Sequence, residues 1–284
     1  MKNIILALIA VLVVIFVGLS FLGTGGEYAA EKLLYSAIKA NSKIAANPDV
    51  VPPALIKSVE NNLNKLVTDY PEAKIAKAGN MALAEFYLTR KDYAKTISIT
   101  DAVLEKYKDD DVTASKAQFL KSVAYEKEGN WDRAVVEFKV LQDKYPLTQL
   151  GIQVPLYVAN YYDVKGDKEK AKEAYARARS FYEKTEQEYS GKNLGLVVSL
   201  LLVQTSLNSK DYEMAGRSIE STLEKYPSAI TYRQLLPYVD LVFIEKLSQP
   251  QRAIAIYKNL EEKSADERMK KALQTKISSI EEKK

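Results

Sequence analysis

Residues 115–146 read SKAQFLKSVAYEKEGNWDRAVVEFKVLQDKYP. Leu120, Ala124 and Tyr125 fall at helical spacing in the first half, and Ala134, Phe138 and Leu141 do so in the second. Between the halves lies Gly129-Asn130-Trp131. Glycine takes a dihedral that other residues avoid and asparagine tolerates it, so the stretch predicts a turn between two helices. Tyr145-Pro146 closes the unit, because proline cannot continue a helix. The small Ala134 lets the two helices approach, and Trp131 and Phe138 fill the space between them.

The same frame recurs along the chain. Tyr70, Tyr107, Tyr145, Tyr182 and Tyr226 follow one another at 37, 38, 37 and 44 residues. Eleven residues before each stands a small or β-branched residue: Val59, Thr96, Ala134, Ala171 and Ala215, with Ala253 continuing the series. Ala84, Tyr87, Asp92-Tyr93 and Tyr107 outline one unit. Ala159, Tyr162, Gly166-Asp167, Ala171, Tyr175 and Ala178 outline another, and Asp211-Tyr212, Ala215, Ile219 and Tyr226-Pro227 a third. Pro250, Ala253, Tyr257 and Leu260 form a degenerate unit. At the other end, a long helix from about Glu27 to Ala46 and the linker Asn47–Pro53 lead to Val59, Leu63 and Tyr70-Pro71. Self-similarity at such a period signals an all-α solenoid, whose units bury their apolar faces by stacking on neighbours.

The 44-residue interval calls for a longer second helix. Ala171, Ala174, Tyr175, Ala178, Tyr182 and Thr185 mark one face, and the helix should gain about two turns and end at Ser190-Gly191. It reads either as a surface extension or as a ledge for a partner. Near the carboxyl end, Ser264-Ala265-Asp266-Glu267 has the pattern of a capping box. Met269, Ala272, Leu273, Ile277 and Ile280 then give an apolar stripe, so residues 264–284 are expected to form a terminal capping helix.

Composition removes several chemistries. The chain has no Cys and no His, which excludes disulfides, thiolate nucleophiles and the commonest general base and metal ligand. The net charge of +4 is spread without a basic stripe, so no nucleic-acid partner is expected. Neither a phosphate loop nor a nucleophile elbow is present. The reading is a non-enzyme with no cofactor, no metal and no small-molecule substrate. Asp109-Asp110-Asp111 reads as a solvated loop, since a calcium site needs more oxygens in a defined turn. Tyr162 holds a packing position, whereas Tyr157 and Tyr161 read as partly exposed.

Residues Ile4–Leu22 are nineteen residues without a charge. As a helix they would span about 28 Å, close to a hydrocarbon core of about 30 Å. Lys2 precedes the run and Glu27 and Glu31 follow it. Residues 1–26 therefore read as a single membrane anchor with the amino terminus in the cytoplasm and the bulk of the chain extracytoplasmic, in a periplasm. A cleaved signal peptide is the rival reading. A lipoprotein is excluded, because no cysteine can carry the lipid.

Over residues 27–263 the chain resembles the tetratricopeptide repeat family. Gly129, Trp131, Ala134, Phe138 and Pro146 carry the likeness, with Tyr87, Gly166, Ala171, Tyr175, Ala215, Pro227, Ala253 and Tyr257 at matching positions. The long units ending in Tyr-Pro resemble bacterial envelope proteins of the BamD and YbgF kind. The resemblance implies a right-handed superhelical solenoid of about six helical hairpins. It also implies a concave groove lined by the first helix of each pair. Met81, Phe119, Leu156, Leu200 and Tyr238 take the fifth position of those helices, and Glu85, Val123, Asn160, Gln204 and Val242 the ninth. This lining is apolar with scattered amides and suits an apolar helix or an extended segment. Tight curvature that buries these residues against each other is the alternative. Three functions follow: a scaffold for other envelope or membrane proteins, a secretion chaperone for unfolded apolar segments, or an enzyme or sugar binder using surface carboxylates.

Overall fold

The computed structural model describes residues 26–44, 51–264 and 266–282. The expected membrane segment Ile4–Leu22 and linker residues 47–50 lie outside the described residues. The described residues form helices joined by short turns and contain no strand. Helix α1 covers residues 26–44. It is followed by α2 (Pro53–Asp69), α3 (Ala76–Thr89), α4 (Tyr93–Lys106), α5 (Asp111–Glu128), α6 (Trp131–Lys144), α7 (Gln149–Val164) and α8 (Lys168–Glu188). Then come α9 (Asn193–Asn208), α10 (Tyr212–Lys225), α11 (Ala229–Val239), a π-helical segment (Asp240–Lys246), α12 (Pro250–Lys263) and α13 (Glu267–Glu281). Among the described residues no helix is long and apolar enough to cross a membrane.

The chain forms two compact units, Met1–Gly151 and Ile152–Lys284. In the first, Ala37, Ala40, Val59, Leu63, Leu83, Phe86 and Tyr87 share a core drawn from α1, α2 and α3. Phe138 on α6 is fully buried, with its ring 6.0 Å from those of Phe119 and Trp131. In the second unit, α7, α8 and α9 pack around Ala159, Ala171, Ala174, Ala178 and Tyr182. The π segment, α10, α11, α12 and α13 close over Ile219, Val239, Phe243, Ala253 and Ile277.

Every member of the small-residue series is buried: Val59, Thr96, Ala134, Ala171, Ala215 and Ala253 are at most 3 % exposed. Ala84, Ser122, Ala159 and Val203, each twelve residues before its partner in the series, are buried as well. The hydroxyl of Thr96 donates to the Ala84 carbonyl at 3.4 Å, which shows how near the two backbones come. A larger side chain at these positions would have to part the helices.

The turn inside each pair is one repeated device. Asp92, Asn130, Asp167 and Asp211 each accept a hydrogen bond from the backbone N–H three residues on, at 3.1–3.3 Å. Such caps stabilise a helix by about 1 kcal/mol each. The residue before each cap is left-handed: Lys91 (φ 62°), Gly129 (φ 92°), Gly166 (φ 78°) and Lys210 (φ 60°). Two of the four are therefore lysines held in a glycine conformation. A cation also braces three of these turns, with Lys95 over Tyr87 (4.5 Å), Arg133 over Tyr125 (5.7 Å) and Lys170 over Tyr162 (5.6 Å). The same residue whose N–H meets the cap supplies the cation.

The tyrosines at the other end of the units are C-caps. Tyr70, Tyr107, Tyr145 and Tyr226 end α2, α4, α6 and α10. In the long unit this place belongs to Tyr189, not Tyr182. Helix α8 has 21 residues where α4, α6 and α10 have 14, and Tyr189 lies 44 residues after Tyr145 and 37 before Tyr226. The added turns bury Tyr182 and Thr185, so that face is not a free ledge. Behind two of the caps the next helix begins in close contact. A Cβ on Gly151 would lie 1.9 Å from the Tyr145 carbonyl oxygen, and one on Gly195 would lie 2.3 Å from that of Tyr189.

Tyr182 has a second task. Pro155 lies inside α7 and is buried there. The Tyr182 hydroxyl donates to the Ile152 carbonyl at 2.9 Å and accepts from the Leu156 N–H at 3.3 Å. An uninterrupted helix would join that carbonyl and that N–H directly. Tyr182 bridges the turn that proline distorts. Burial raises its hydroxyl's pKa, so it stays protonated and able to donate.

Two expectations near the carboxyl end need correction. The N-cap of α13 is Asp266, which accepts from Arg268 and Met269; Ser264 instead caps the end of α12. Ala272 is exposed, while Leu273, Ile277 and Ile280 form the buried stripe. Pro237 also sits inside α11, and the π turn that follows adds a residue to the helical register.

Replacing Tyr182 by Phe should cost about 1–3 kcal/mol by urea unfolding, because two buried backbone groups lose their partner. A loss under about 0.5 kcal/mol would show that the bridge does not matter. Lys210→Gly should raise stability by about 1 kcal/mol, since it relieves a left-handed lysine.

Candidate interaction surface

In the first unit, α3 and α5 lie side by side. Val112, Lys116, Phe119 and Val123 follow the i, i+4, i+7, i+11 spacing of one helix face. Val112 is 62 % exposed, and Phe119 and Val123 are half-buried. On α3, Ala78 and Glu85 are exposed and Met81 is half-buried. The structure thus brings Met81, Glu85, Phe119 and Val123 onto two neighbouring helices. The Phe119 ring lies 6.0 Å from that of Phe138, tilted by 58°, and Phe119 stays half-buried.

Two clefts adjoin this surface. One of about 550 Å³ is lined by Val112, Lys116, Lys144, Pro146 and Leu147 among others, and Leu147 is 46 % exposed. The other, about 310 Å³, lies between α1 and α3 over Val59 and Leu63, with Glu85 and Ile38 on its walls. Lys121 ties the back of α5 to Asp101 (2.9 Å) and Glu137 (3.1 Å). Asp110 does more than the solvated loop expected of it. It caps α5 through the Thr113 N–H and pairs with Lys77 of α3. The Lys77 ammonium, then the Thr113 bonds, hold its pKa down at about 2.

In the second unit the groove positions divide. Leu156 is 7 % exposed and Val242 fully buried, so neither offers a surface. Leu156 follows Pro155 and faces the Tyr182 bridge, and Val242 is carried into the core within the π segment. Leu200 and Tyr238 are half-buried and pack beside the core around Val239 and Phe243. Asn160 and Gln204 belong to a ladder of amides across α7 and α9. The Tyr175 hydroxyl (2.9 Å) and the Asn208 amide (2.8 Å) both donate to Asn160 Oδ1. Gln204 Nε2 donates to Asn208 Oδ1 at 2.6 Å. Asn160, Gln204 and Asn208 are all half-buried. Exposed Val164 and Val197 (84 % and 47 %) share the two helices.

Sequence reasoning missed Asn208, Val112 and Arg252. Asn208 lies four residues after Gln204, a helical neighbour, and that spacing was the available signal. Arg252 clasps Glu220 with two bonds (2.9 and 2.7 Å) while stacking 4.6 Å from Phe243, at the edge of a cleft of about 310 Å³. Among the described residues no three His, Cys, Asp or Glu side chains are placed to hold a metal.

Residues 116–148 match the sequence profile of the tetratricopeptide repeat. That segment carries the pattern of one tetratricopeptide repeat. The matched segment is α5, its turn and α6, the pair in which Ala134 and Phe138 are wholly buried. A comparison with curated proteins finds no match. Among solved structures, the chain is similar to a tetratricopeptide repeat protein from Parabacteroides merdae. The two are 14 % identical, with a TM-score of 0.44, covering 89 % of this chain and 87 % of that one. It is also similar to BtubC (BKLC) from P. vanneervenii, again 14 % identical with a TM-score of 0.44, covering 88 % and 92 %.

Asp110 makes stability depend on acid. Its folded pKa lies below the ordinary 3.8, so its contribution is present above about pH 4 and fades as pH falls toward 2. Asp110→Asn keeps the cap but removes the charge. Urea midpoints of the variant should drop less than those of the parent between pH 5 and pH 2.5. An equal drop would show that the Lys77 pair contributes nothing.

Proposed function

We propose that this chain is a tetratricopeptide repeat scaffold for other envelope proteins. Residues 4–22 would hold it at the cytoplasmic membrane, with the repeats outside. Such repeats bind protein partners in general. The observation that carries the reading is the α5 stripe, where Val112 is exposed and Phe119 and Val123 are half-buried beside α3. An apolar helix face set next to another helix offers a ready groove for an apolar partner segment. The half-buried amide ladder of α7 and α9 adds polar groups of the kind that pair with the backbone of an extended segment. The long units and Tyr-Pro endings, like those of the envelope proteins named above, support an envelope setting. The absence of Cys and His supports binding over catalysis.

Two variants test the reading. Val112→Glu alters a side chain that touches little, and Phe119→Glu alters the central anchor. Chains that co-purify from detergent-solubilised membranes should be lost from both variants, with helical circular dichroism unchanged. Partner recovery equal to the parent's in both would refute the groove. One sharp hit on a peptide array supports scaffolding; broad weak binding to apolar peptides would instead make the chain a chaperone. Detection of the intact Met1 peptide in the same sample checks that the anchor is retained.

A further inference from the structure

Helix α1 ends the repeat array on one side, so no neighbouring repeat covers its outer face. Terminal faces of such arrays are usually polar. Here Tyr28, Lys32, Tyr35, Lys39 and Ser42 follow one another along that face at four- and three-residue steps, and all are exposed. Tyr28 is 68 % and Tyr35 65 % exposed, and Lys39 stands 5.9 Å from the Tyr35 ring. Lys43 flanks the same face. Among the described residues of α1, Glu31 is the one carboxylate exposed beside this face, because Glu27 is turned to the body of the unit, where it accepts from the Lys74 N–H at 3.1 and 3.2 Å. That bond also fixes which way the face points.

The apolar run ends at Leu22, and the described part of α1 starts at residue 26. Four residues reach at most about 14 Å. We infer that the outer face of α1 lies on an anionic lipid surface, with Tyr28 and Tyr35 at the headgroup level and Lys32, Lys39 and Lys43 against lipid charge. The inference rests on the anchor reading above. Tyrosine has an apolar ring and a polar tip, which suits the boundary between acyl chains and water. Lysines beside it reach anionic headgroups while their stems cover apolar surface. A protein partner on this face is the competing occupant, and the test separates the two.

The chain has no native cysteine, so single-cysteine variants carry one label each. Full-length protein is reconstituted in phosphatidylglycerol–phosphatidylcholine vesicles with a fluorophore at Val13→Cys, Ser42→Cys or Val136→Cys. Quenching is then read with nitroxide lipids labelled near the headgroup or deep in the chain. The expected result is deep quenching at position 13, shallow quenching at position 42 and neither at position 136, which sits on exposed α6. Adding Tyr28→Ser and Tyr35→Ser should bring position 42 down to the level of position 136 and leave position 13 unchanged. Vesicles of phosphatidylcholine alone should weaken quenching at position 42. If position 13 is quenched but position 42 matches position 136, the anchor stands and the membrane-facing helix is overturned. If neither is quenched, both readings fall.

Discussion

The fold depends on how closely two helical backbones may approach at one point per pair. Thr96, Ala134, Ala171 and Ala215 are buried on the second helix of each pair, and Ala84, Ser122, Ala159 and Val203, twelve residues earlier, are buried on the first. Because these residues are small or β-branched, the large groups are displaced to either end of the contact. On one end stand Phe138, Tyr175 and Ile219, one turn further along the second helix. On the other stand the aromatics Tyr87, Tyr125 and Tyr162, under their cations. A buried cluster of that size stabilises through area removed from water, about 25 cal/mol per Å². It forms only where the small pair lets the helices meet.

Much of this was legible in the sequence because its signals are short-range. Ala171, Ala174, Tyr175, Ala178, Tyr182 and Thr185 lie on one face of a helix whatever surrounds it, and they are the buried residues of α8. Turn chemistry at Gly129-Asn130 is equally local. The same reasoning extends to Asp92 and Asp211, where aspartate caps a helix after a left-handed lysine. There the glycine signal is missing, and the cap alone marks the turn.

What escaped reading involves contacts between segments far apart in sequence. Pro155 looks like a helix end, yet α7 runs through it, since the Tyr182 hydroxyl 27 residues later takes up the displaced backbone groups. The π turn after Pro237 shifts the register by one residue and sends Val242 into the core. A count of positions from the start of the helix carries no trace of such a slip. Glu85, Phe119 and Val123, which precede any interruption, stay at or near the surface. Asp110 was hidden for a similar reason, because Lys77, its partner, lies in the preceding pair.

The amide ladder of α7 and α9 is built from groups that carry no titratable charge near neutrality. Tyr175, which holds Asn160 in place, has its hydroxyl pushed up to about 12 by burial and by the negative charge of Asp163. Asn160, Asn208 and Gln204 do not ionise at all, and the chain has no histidine to alter the field around them. The pattern of donors and acceptors on this face therefore stays the same across a wide span of acidity. It would persist through swings of pH that would switch a histidine-based pattern.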